Sequence, residues 1–268
     1  MPLAICATPI GNLDDVTLRL LAELQAADVV LAEDTRHTRG LLERHGIEAR
    51  LLSYHEHNEA ARVAELLPRL AAGERMALVS DAGMPAISDP GARLVRAALD
   101  AGVAVTVLPG PSAVETALVG SGLAGGRYAF VGFLPRKAGE LEALWRETSA
   151  WGMPVVAFES PHRVAASLRS LARFDPEREV AVCRELTKRF EEIARGTASE
   201  LAERFDAPPK GEVTLVVSAS PAVDSVDPDE AREAVADLVA AGSARRVAAD
   251  VVARLTGLGR NELYRSGL

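Results

Sequence analysis

The sequence has few of the features that mark membrane or secreted proteins. It contains no run of eighteen apolar residues, so a membrane-spanning helix is not expected. Its two cysteines, Cys6 and Cys183, lie far apart in apolar segments. They allow one disulfide, although the pattern favours buried free thiols in a reducing compartment. The N-terminal segment has no basic region before its first apolar run, which argues against a secretory signal peptide and indicates a cytoplasmic protein.

Net positive charge is also lacking. The formal net charge of −8 excludes a protein that coats nucleic acid without specificity, but it leaves room for a local basic groove. Lysine occurs only at Lys137, Lys188 and Lys210, although the chain has 30 basic residues. A lysine retained in an arginine-rich chain indicates that a compact ammonium group is needed at that position.

Several common enzyme signatures are missing. The absence of GxxxxGK[ST] excludes a P-loop nucleotidase, and the absence of GxGxxG after a strand weakens a dinucleotide-binding Rossmann interpretation. Ser112 lacks the second glycine of a nucleophile elbow and Ser80 lacks both, so a serine hydrolase is not expected. His55 and His57 superficially resemble a metal pair, but no third ligand stands at a typical spacing, and no metal site is predicted.

The first half of the chain alternates short apolar runs with amphipathic helical patterns. This alternation predicts a doubly wound α/β domain over residues 1–120 with a mostly parallel sheet. The predicted strands are Leu3–Ala7, Asp28–Ala32, Leu51–Ser53, Met76–Val79 and Val103–Leu108.

A glycine-rich stretch, Gly120–Arg127, interrupts the helical pattern and marks a candidate domain boundary. A second α/β domain is predicted over residues 121–220, followed by a linker at Ser220–Asp229 and a helical C-terminal extension at 229–268. The arginines of this extension suit a small nucleic-acid-binding element, and a capping or dimerising tail is the alternative. The strands predicted in the second domain are Tyr128–Gly132, Val155–Phe158, Glu179–Cys183 and Val213–Ser218.

Three loops rich in glycine and proline each follow a predicted strand: Thr8–Leu13, Ser80–Gly91 and Pro109–Ala113. Ligands of parallel sheets bind outside the carboxyl ends of the strands. The three loops therefore predict one pocket, lined by backbone more than by large side chains.

Ionisable residues gather at the same strand ends. Glu33–Arg39 holds two acids and three potential cations, a density that costs stability unless the groups are solvated or bound to partners. Gly132–Lys137, Phe158–Arg163 and Arg184–Lys188 each follow a strand of the second half, whereas Lys210–Glu212 precedes its last strand. Polar groups from both halves thus indicate a cleft between two domains.

These motifs together resemble a known family. In chain order they read TPIGNL, AEDTRHT, SDAGMPAISDPG, PGPSA, GFLPRK, FESPHR, RELTK and KGEVTLVV. Each is weak alone, but eight in this order resemble the tetrapyrrole-methylase superfamily, and within it the ribosomal RNA small subunit methyltransferase I family. The resemblance extends through the strand at Val213–Ser218, and the C-terminal LTGLGRNELYR is also similar to that family.

The resemblance implies two α/β domains of the tetrapyrrole-methylase type with S-adenosylmethionine in the cleft between them, in a homodimer. It implies 2′-O-methylation of a cytidine ribose in the decoding region of 16S rRNA, within the small ribosomal subunit. Met84 departs from the family pattern, which more often has Thr, so no hydrogen bond to the cofactor is assigned to it. The cofactor positions carried over are Asp81, Ala82, Gly83, Ser112, Ala113, Phe158, Leu186 and Val213.

A sugar hydroxyl is a weak acid, so a base within hydrogen-bond reach is expected to assist methyl transfer. Candidates are Glu33, Asp34, Glu185 and Lys188, of which Glu185 and Lys188 are favoured for orienting the hydroxyl. A lysine base requires a lowered pKa, which burial can supply. The residues expected to contact RNA phosphates are Arg36, His37, Arg39, Arg136, Lys137 and Arg163.

Two other functions remain open at this point. One is methylation of a tetrapyrrole ring by the same fold, although the Glu33–Arg39 segment and the arginine-bearing tail suit RNA better. The other is a noncatalytic RNA- or nucleotide-binding module, although such a module needs no cleft crowded with ionisable groups. Binding of S-adenosylmethionine, measured as a thermal shift, discriminates against the second alternative.

Overall fold

The alternation of strands and helices folds into two compact units. A computed structural model describes residues 2–220, 228–256 and 258–265. The first unit comprises Met1–Thr148 and Met153–Ser218 and contains both sheets. Ser149–Gly152 and the described residues after Ser218 form the second unit. In the described part of the chain, no helix is both long and apolar enough to cross a membrane.

The first sheet is fully parallel, with strand order β3-β2-β4-β1-β5. Its carboxyl-terminal strand ends therefore share one edge, as predicted. Its strands are β1 (Leu3–Cys6), β2 (Val29–Ala32), β3 (Leu51–Ser53), β4 (Met76–Val79) and β5 (Val105–Leu108). The helices that follow them are α1 (Leu18–Ala26), α2 (Thr35–Arg44), α3 (Glu59–Ala71), α4 (Ala92–Asp100) and α5 (Ala113–Ser121).

The second sheet is mixed, with strand order β6-β7-β10-β8-β9. Only β6 and β7 pair in parallel; β10 runs antiparallel to β7 and β8, and β9 antiparallel to β8. Its strands are β6 (Ala129–Phe133), β7 (Val155–Glu159), β8 (Glu179–Arg184), β9 (Glu192–Thr197) and β10 (Val213–Val217). Its helices are α6 (Ala138–Ser149), α7 (Val164–Phe174) and α8 (Ala198–Arg204).

The reversed direction of β10 explains why Lys210–Glu212 precedes its strand whereas the other motifs follow theirs. Val213, the first residue of β10, pairs with Glu159 and Arg184, the last residues of β7 and β8. The loop before β10 therefore reaches the same edge as the loops after β7 and β8. Sequence analysis missed β9, which is an edge strand with the polar sequence EIARGT.

Both faces of the first sheet are buried. Alternate residues of β1 enter different cores, Leu3 and Ile5 on one face and Ala4 and Cys6 on the other. This is the packing expected of a parallel sheet covered by helices on both sides. A further apolar cluster contains Ala117 of α5 together with Val156 and Val216 of the second sheet, and so ties the two sheets together.

Cys6 and Cys183 are free and buried. Burial raises the pKa of each thiol to about 12, with smaller contributions from nearby charges. Both sulfurs are therefore protonated and unreactive at neutral pH.

The described residues of the second unit form three helices, α9 (Pro228–Ala240), α10 (Arg245–Thr256) and α11 (Arg260–Arg265). They pack around a small apolar core that includes Val235, Ala249 and Leu263. Ion pairs join Arg232 to Glu262 and Arg260 to Asp250, so part of the arginine charge of this unit is neutralised internally. Residues 221–227 of the predicted linker lie outside the described residues. The α/β class of both halves and the helical extension are confirmed.

Candidate active site

A cavity of about 670 Å³ lies between the two sheets of the first unit. From the first sheet it receives the loops after β1, β2, β4 and β5. From the second sheet it receives β6 and the residues around the ends of β7, β8 and β10. Its lining residues are Ile10, Glu33, Asp81–Met84, Ile87–Asp89, Ser112–Glu115, Tyr128, Phe130, Phe133, Phe158–Pro161, Cys183, Leu186 and Gly211–Thr214.

All eight positions expected to bind the cofactor line this one cavity: Asp81, Ala82, Gly83, Ser112, Ala113, Phe158, Leu186 and Val213. On the side of the first sheet, the small residues Ala82, Gly83, Ser88, Ser112 and Ala113 line the cavity together with larger side chains such as Ile10, Met84 and Ile87. Gly83 has a φ of +74° and exchanges two backbone hydrogen bonds with Thr8. Glycine is suited to this position because it adopts a positive φ without steric cost.

The Ser80–Gly91 loop holds two non-glycine residues in the left-handed region, Ala86 at φ +68° and Ser88 at φ +62°. Such conformations cost about 1–3 kcal/mol each and persist only where their surroundings enforce them. The anchor is Glu59, whose Oε1 accepts from the Gly91 amide at 3.0 Å and from the Tyr54 hydroxyl at 2.9 Å. This anchoring presents Ser88 and its neighbours to the cavity.

Three carboxylates line the cavity from the loops after β2 and β4: Glu33, Asp81 and Asp89. Burial raises the pKa of Asp89 to about 7, and the charges of Glu33 and Asp81 add to this effect. Burial, followed by the charge of Asp81, also raises the pKa of Glu33. Sequence analysis did not select Asp89, although it belongs to the same motif as Asp81. Near neutral pH this group can accept or release a proton.

Asp34 lies beside this cluster but has a different role. Its side chain caps α2 by accepting from the Arg36 amide at 2.8 Å, and it forms a bidentate pair with the Arg36 guanidinium. These hydrogen bonds hold the pKa of Asp34 well below its usual range. Its backbone amide donates to Asp81 Oδ1 at 3.0 Å, which fixes that carboxylate in place.

Glu185 and Lys188 flank the cavity-lining Leu186 but do not line the cavity themselves. The Lys188 ammonium donates to Glu185 Oε1 at 3.0 Å and to Glu212 Oε2 at 2.9 Å. Burial lowers the pKa of Lys188, but hydrogen bonds to Glu212 and Glu185 outweigh it, and the net pKa is raised. The lowered pKa that a lysine base requires is therefore not found, and Lys188 remains an ammonium ion.

The Arg184–Lys188 segment packs directly on the first loop of the chain. The Asn12 amide donates to Thr187 Oγ1 at 3.0 Å. A Cβ on Gly11 would lie 2.4 Å from Lys188 Cγ and 2.9 Å from the Leu186 carbonyl oxygen. Only a residue without a side chain permits this close approach of the two halves.

The residues expected to contact RNA fall into two groups. Arg36, His37 and Arg39 on α2, and Arg136 and Lys137 after β6, are all exposed to solvent. Arg163 is instead held inside the protein's own network. Its guanidinium pairs with the fully buried Glu159 side chain at 2.6 Å and donates to the Leu134 carbonyl.

Polar groups that sequence analysis missed also reach the cavity. Glu115 accepts hydrogen bonds from the Ser112 hydroxyl and, at 2.6 Å, from the Tyr128 hydroxyl. Among the described residues, no group of three or more His, Cys, Asp or Glu side chains is arranged to hold a metal ion.

The cavity and the two sheets agree with what comparison with known proteins shows. Residues 2–202 match the family model described as Tetrapyrrole (Corrin/Porphyrin) Methylases. Ribosomal RNA small subunit methyltransferase I of Streptococcus pyogenes serotype M1 is 41% identical over 270 residues, which cover 98% of this chain and 93% of that protein. The chain belongs to the ribosomal RNA small subunit methyltransferase I family of tetrapyrrole methylases. The family member from Micromonospora olivasterospora is 44% identical over 98% of this chain and 85% of its own length.

The fold of the family is also found in solved structures. Uroporphyrin-III C-methyltransferase from Thermus thermophilus, solved in complex with S-adenosylhomocysteine, superimposes with a TM-score of 0.56. The alignment covers 81% of this chain and 97% of that one at 19% identity, so it shows a shared fold. The family model and the curated relatives confirm the family resemblance seen in the sequence motifs.

Proposed function

We propose that the protein transfers a methyl group from S-adenosylmethionine to the ribose 2′ oxygen of a cytidine in the decoding region of 16S rRNA. The observation that carries this proposal is the gathering of all eight expected cofactor positions around one cavity, in a chain whose family members carry the rRNA methyltransferase name. The proposal includes a homodimer, the small ribosomal subunit as substrate and a cytoplasmic location.

The cavity suits S-adenosylmethionine in size and chemistry. A volume of about 670 Å³ is within the range of small-molecule sites. Ala82, Gly83 and Ala113 leave room for the ligand, while Phe158 supplies an apolar wall. The Asp81 carboxylate can accept hydrogen bonds from an amine or from ribose hydroxyls. When bound, S-adenosylmethionine supplies a methyl group already activated on a sulfonium, so the protein needs chiefly to align the acceptor oxygen.

Asp89 is the strongest candidate for the base that the acceptor hydroxyl requires. It lines the cavity, and burial with the neighbouring charges of Glu33 and Asp81 brings its pKa to about 7. A base whose pKa lies near the working pH is the most effective proton acceptor. Glu33 shares this environment, whereas Asp34 and Glu185 are tied to cations. Asp89 therefore takes the ribose proton, and Glu33 raises its basicity.

The exposed cations on both sides of the cavity suit a polyanionic substrate. Arg36 and Arg39 on α2, together with Arg136 and Lys137, provide phosphate contacts that position RNA without reading its sequence. Arg36→Ala is expected to weaken RNA binding and to leave cofactor binding intact. A tetrapyrrole substrate is less favoured because the solved tetrapyrrole methyltransferase is only 19% identical, against 41% for the rRNA methyltransferase.

The test is transfer of labelled methyl groups to small ribosomal subunits from a strain that lacks the enzyme, with the labelled nucleotide mapped. Label on a single cytidine ribose supports the proposal. Label on a base, or on a nucleotide other than a cytidine, overturns the proposed methylation of a cytidine 2′ oxygen. Cofactor binding without any labelled RNA favours the tetrapyrrole alternative, and the absence of a thermal shift with S-adenosylmethionine favours a noncatalytic module.

A further inference from the structure

A bulge in β6 turns one aromatic side chain toward the cavity. Phe130 pairs with Val156 and Phe133 with Phe158, so two residues of β6 oppose one residue of β7. Gly132, inside the bulge, has a φ of +70°. Bulges of this kind occur beside active sites, where they redirect a side chain. The residue redirected here is Phe133, which lines the cavity.

Phe133 is unusually exposed for a large apolar residue, with 62% of its surface accessible. One edge of the ring is nevertheless fixed, because Phe133 packs against Phe158 in a T-shaped pair at 5.5 Å, and Phe158 packs against Phe130 at 4.9 Å. Phe130, Phe158 and Phe133 thus form a row of contacting rings, from the partly buried Phe130 to the exposed Phe133. Two further exposed apolar residues, Ile87 and Tyr128, line the same cavity.

Cations follow the exposed ring along the chain. Arg136 and Lys137 follow Phe133 within the same loop, and both are exposed. Lys137 pairs with Glu140 at 2.8 Å, but this pair lies in solvent and is weak. An exposed aromatic ring beside solvated cations is the combination that binds single-stranded RNA, in which bases stack on rings while cations hold the phosphates.

We propose that Phe133 is a stacking platform that holds the base of the target nucleotide outside its RNA stack while the ribose enters the cavity. This inference rests on the proposed function and specifies how that site takes its substrate. A target nucleotide that leaves its stack to bring its ribose into the cavity exposes the faces of its base, and extruded bases are held by stacking on aromatic side chains. The flanking cations complement the phosphates of RNA, which position the strand.

The test compares Phe133→Leu and Phe133→Trp with Phe174→Leu, a control at an exposed phenylalanine that ends α7 and does not line the cavity. Methyl transfer to small subunits is measured together with S-adenosylmethionine binding by calorimetry. Phe133→Leu is expected to raise KM for the subunit, or lower kcat/KM, by about 5- to 100-fold, the range of one base stack. Phe133→Trp should retain activity, and both variants should bind the cofactor normally.

A second readout follows the base itself. Pyrrolocytidine at the target position of the RNA should show a change in emission with the wild-type protein that is lost in Phe133→Leu. Unchanged subunit kinetics in Phe133→Leu overturn the platform, as does a loss equal to that of Phe174→Leu. A changed oligomeric state overturns it in favour of an interface between copies. If the wild-type protein methylates no RNA, the proposed function fails and this inference fails with it.

Discussion

The two walls of the cavity carry carboxylates in opposite electrostatic situations. On the side of the second sheet, Glu159 is paired with Arg163 and Glu212 with Lys188, which also pairs with Glu185 just outside the cavity lining. On the side of the first sheet, Glu33, Asp81 and Asp89 face one another, and no ion pair of theirs with Lys or Arg is found among the described residues. Glu185, paired with Lys188, has a lowered pKa, as does Glu115 on the side of the first sheet, which accepts hydrogen bonds from Ser112 and Tyr128. Glu33 and Asp89, for which the described residues supply no such partner, have raised pKa values.

This difference separates structural acids from acids able to do chemistry. A carboxylate neutralised by a cation keeps its charge through the physiological range and holds its partners in place. A carboxylate crowded by like charges and partly buried changes its protonation state near neutral pH, which is the property required of a catalytic base. Substitution of an unpaired carboxylate should therefore change the rate of methyl transfer. Substitution of a paired carboxylate should change the free energy of unfolding.

The largest effect is expected on the unpaired wall. Asp89→Asn removes the proton acceptor, so kcat should fall about 10²- to 10⁴-fold while S-adenosylmethionine binding is retained. In the wild-type protein kcat should decline as the pH falls below about 7, where Asp89 becomes protonated. That decline should be absent from the residual activity of the variant. Single-turnover methyl transfer across pH 5–9 measures both effects.

Asp34→Asn is the matched control because it neutralises an adjacent carboxylate while asparagine still caps a helix well. Its kcat should remain within a few-fold of the wild-type value. An equal loss of kcat in both variants would mean that the unpaired carboxylates do not differ in function from Asp34. An unchanged kcat in Asp89→Asn would show that Asp89 is not the catalytic base.

On the paired wall, Glu159→Gln should cost stability. The Glu159 carboxylate accepts from the Ser160 amide at 2.6 Å, from Arg163 Nε at 2.8 Å and from the Ser167 hydroxyl at 2.5 Å. Removing one partner of a buried ion pair costs about 3–5 kcal/mol. We expect a loss near the lower end of this range, because the Arg163 side chain is 28% exposed and water can solvate its charge. Urea unfolding should show this loss in Glu159→Gln but about 1 kcal/mol or less in Glu140→Gln, whose pair with Lys137 is exposed.

The contact that joins the two walls is tested by Gly11→Ala. The added methyl meets Lys188 Cγ and the Leu186 carbonyl, and overpacking of this kind costs about 1–3 kcal/mol. Gly40→Ala, inside α2 with open space around it, should instead stabilise the protein by about 0.5–1 kcal/mol. Thermal denaturation of both variants measures the contrast. Equal melting temperatures would mean that the segments around Gly11 and Lys188 can move apart to accommodate the added methyl group without loss of stability.

Local pattern predicted the bounds of two strands as the structure has them: Met76–Val79, which is buried throughout, and Leu51–Ser53, whose residues are partly buried. It missed β9, because the sequence EIARGT becomes a strand only through pairing with β8. The sequence motifs identified the cofactor positions. The placement of Asp89 depends instead on positive φ angles at Ala86 and Ser88, and the placement of Phe133 depends on the bulge in β6. Such features arise from tertiary contacts and leave no periodicity in the sequence.

The smallest effect is the stability that Asp89 costs the fold. Its pKa is raised from 3.8 to about 7, so the folded protein binds a proton more tightly than the unfolded chain. Stability is therefore lost as the pH rises from about 4 to about 7, and the loss stays constant above that range. Asp89→Asn escapes this loss and should be more stable than the wild-type protein at pH 8, by about 1 kcal/mol because solvent screens the partly exposed group. The difference should vanish at pH 4 in parallel thermal melts. A variant less stable than the wild-type protein at pH 8 would mean that the Asp89 charge is compensated in the folded state, as it is on the opposite wall.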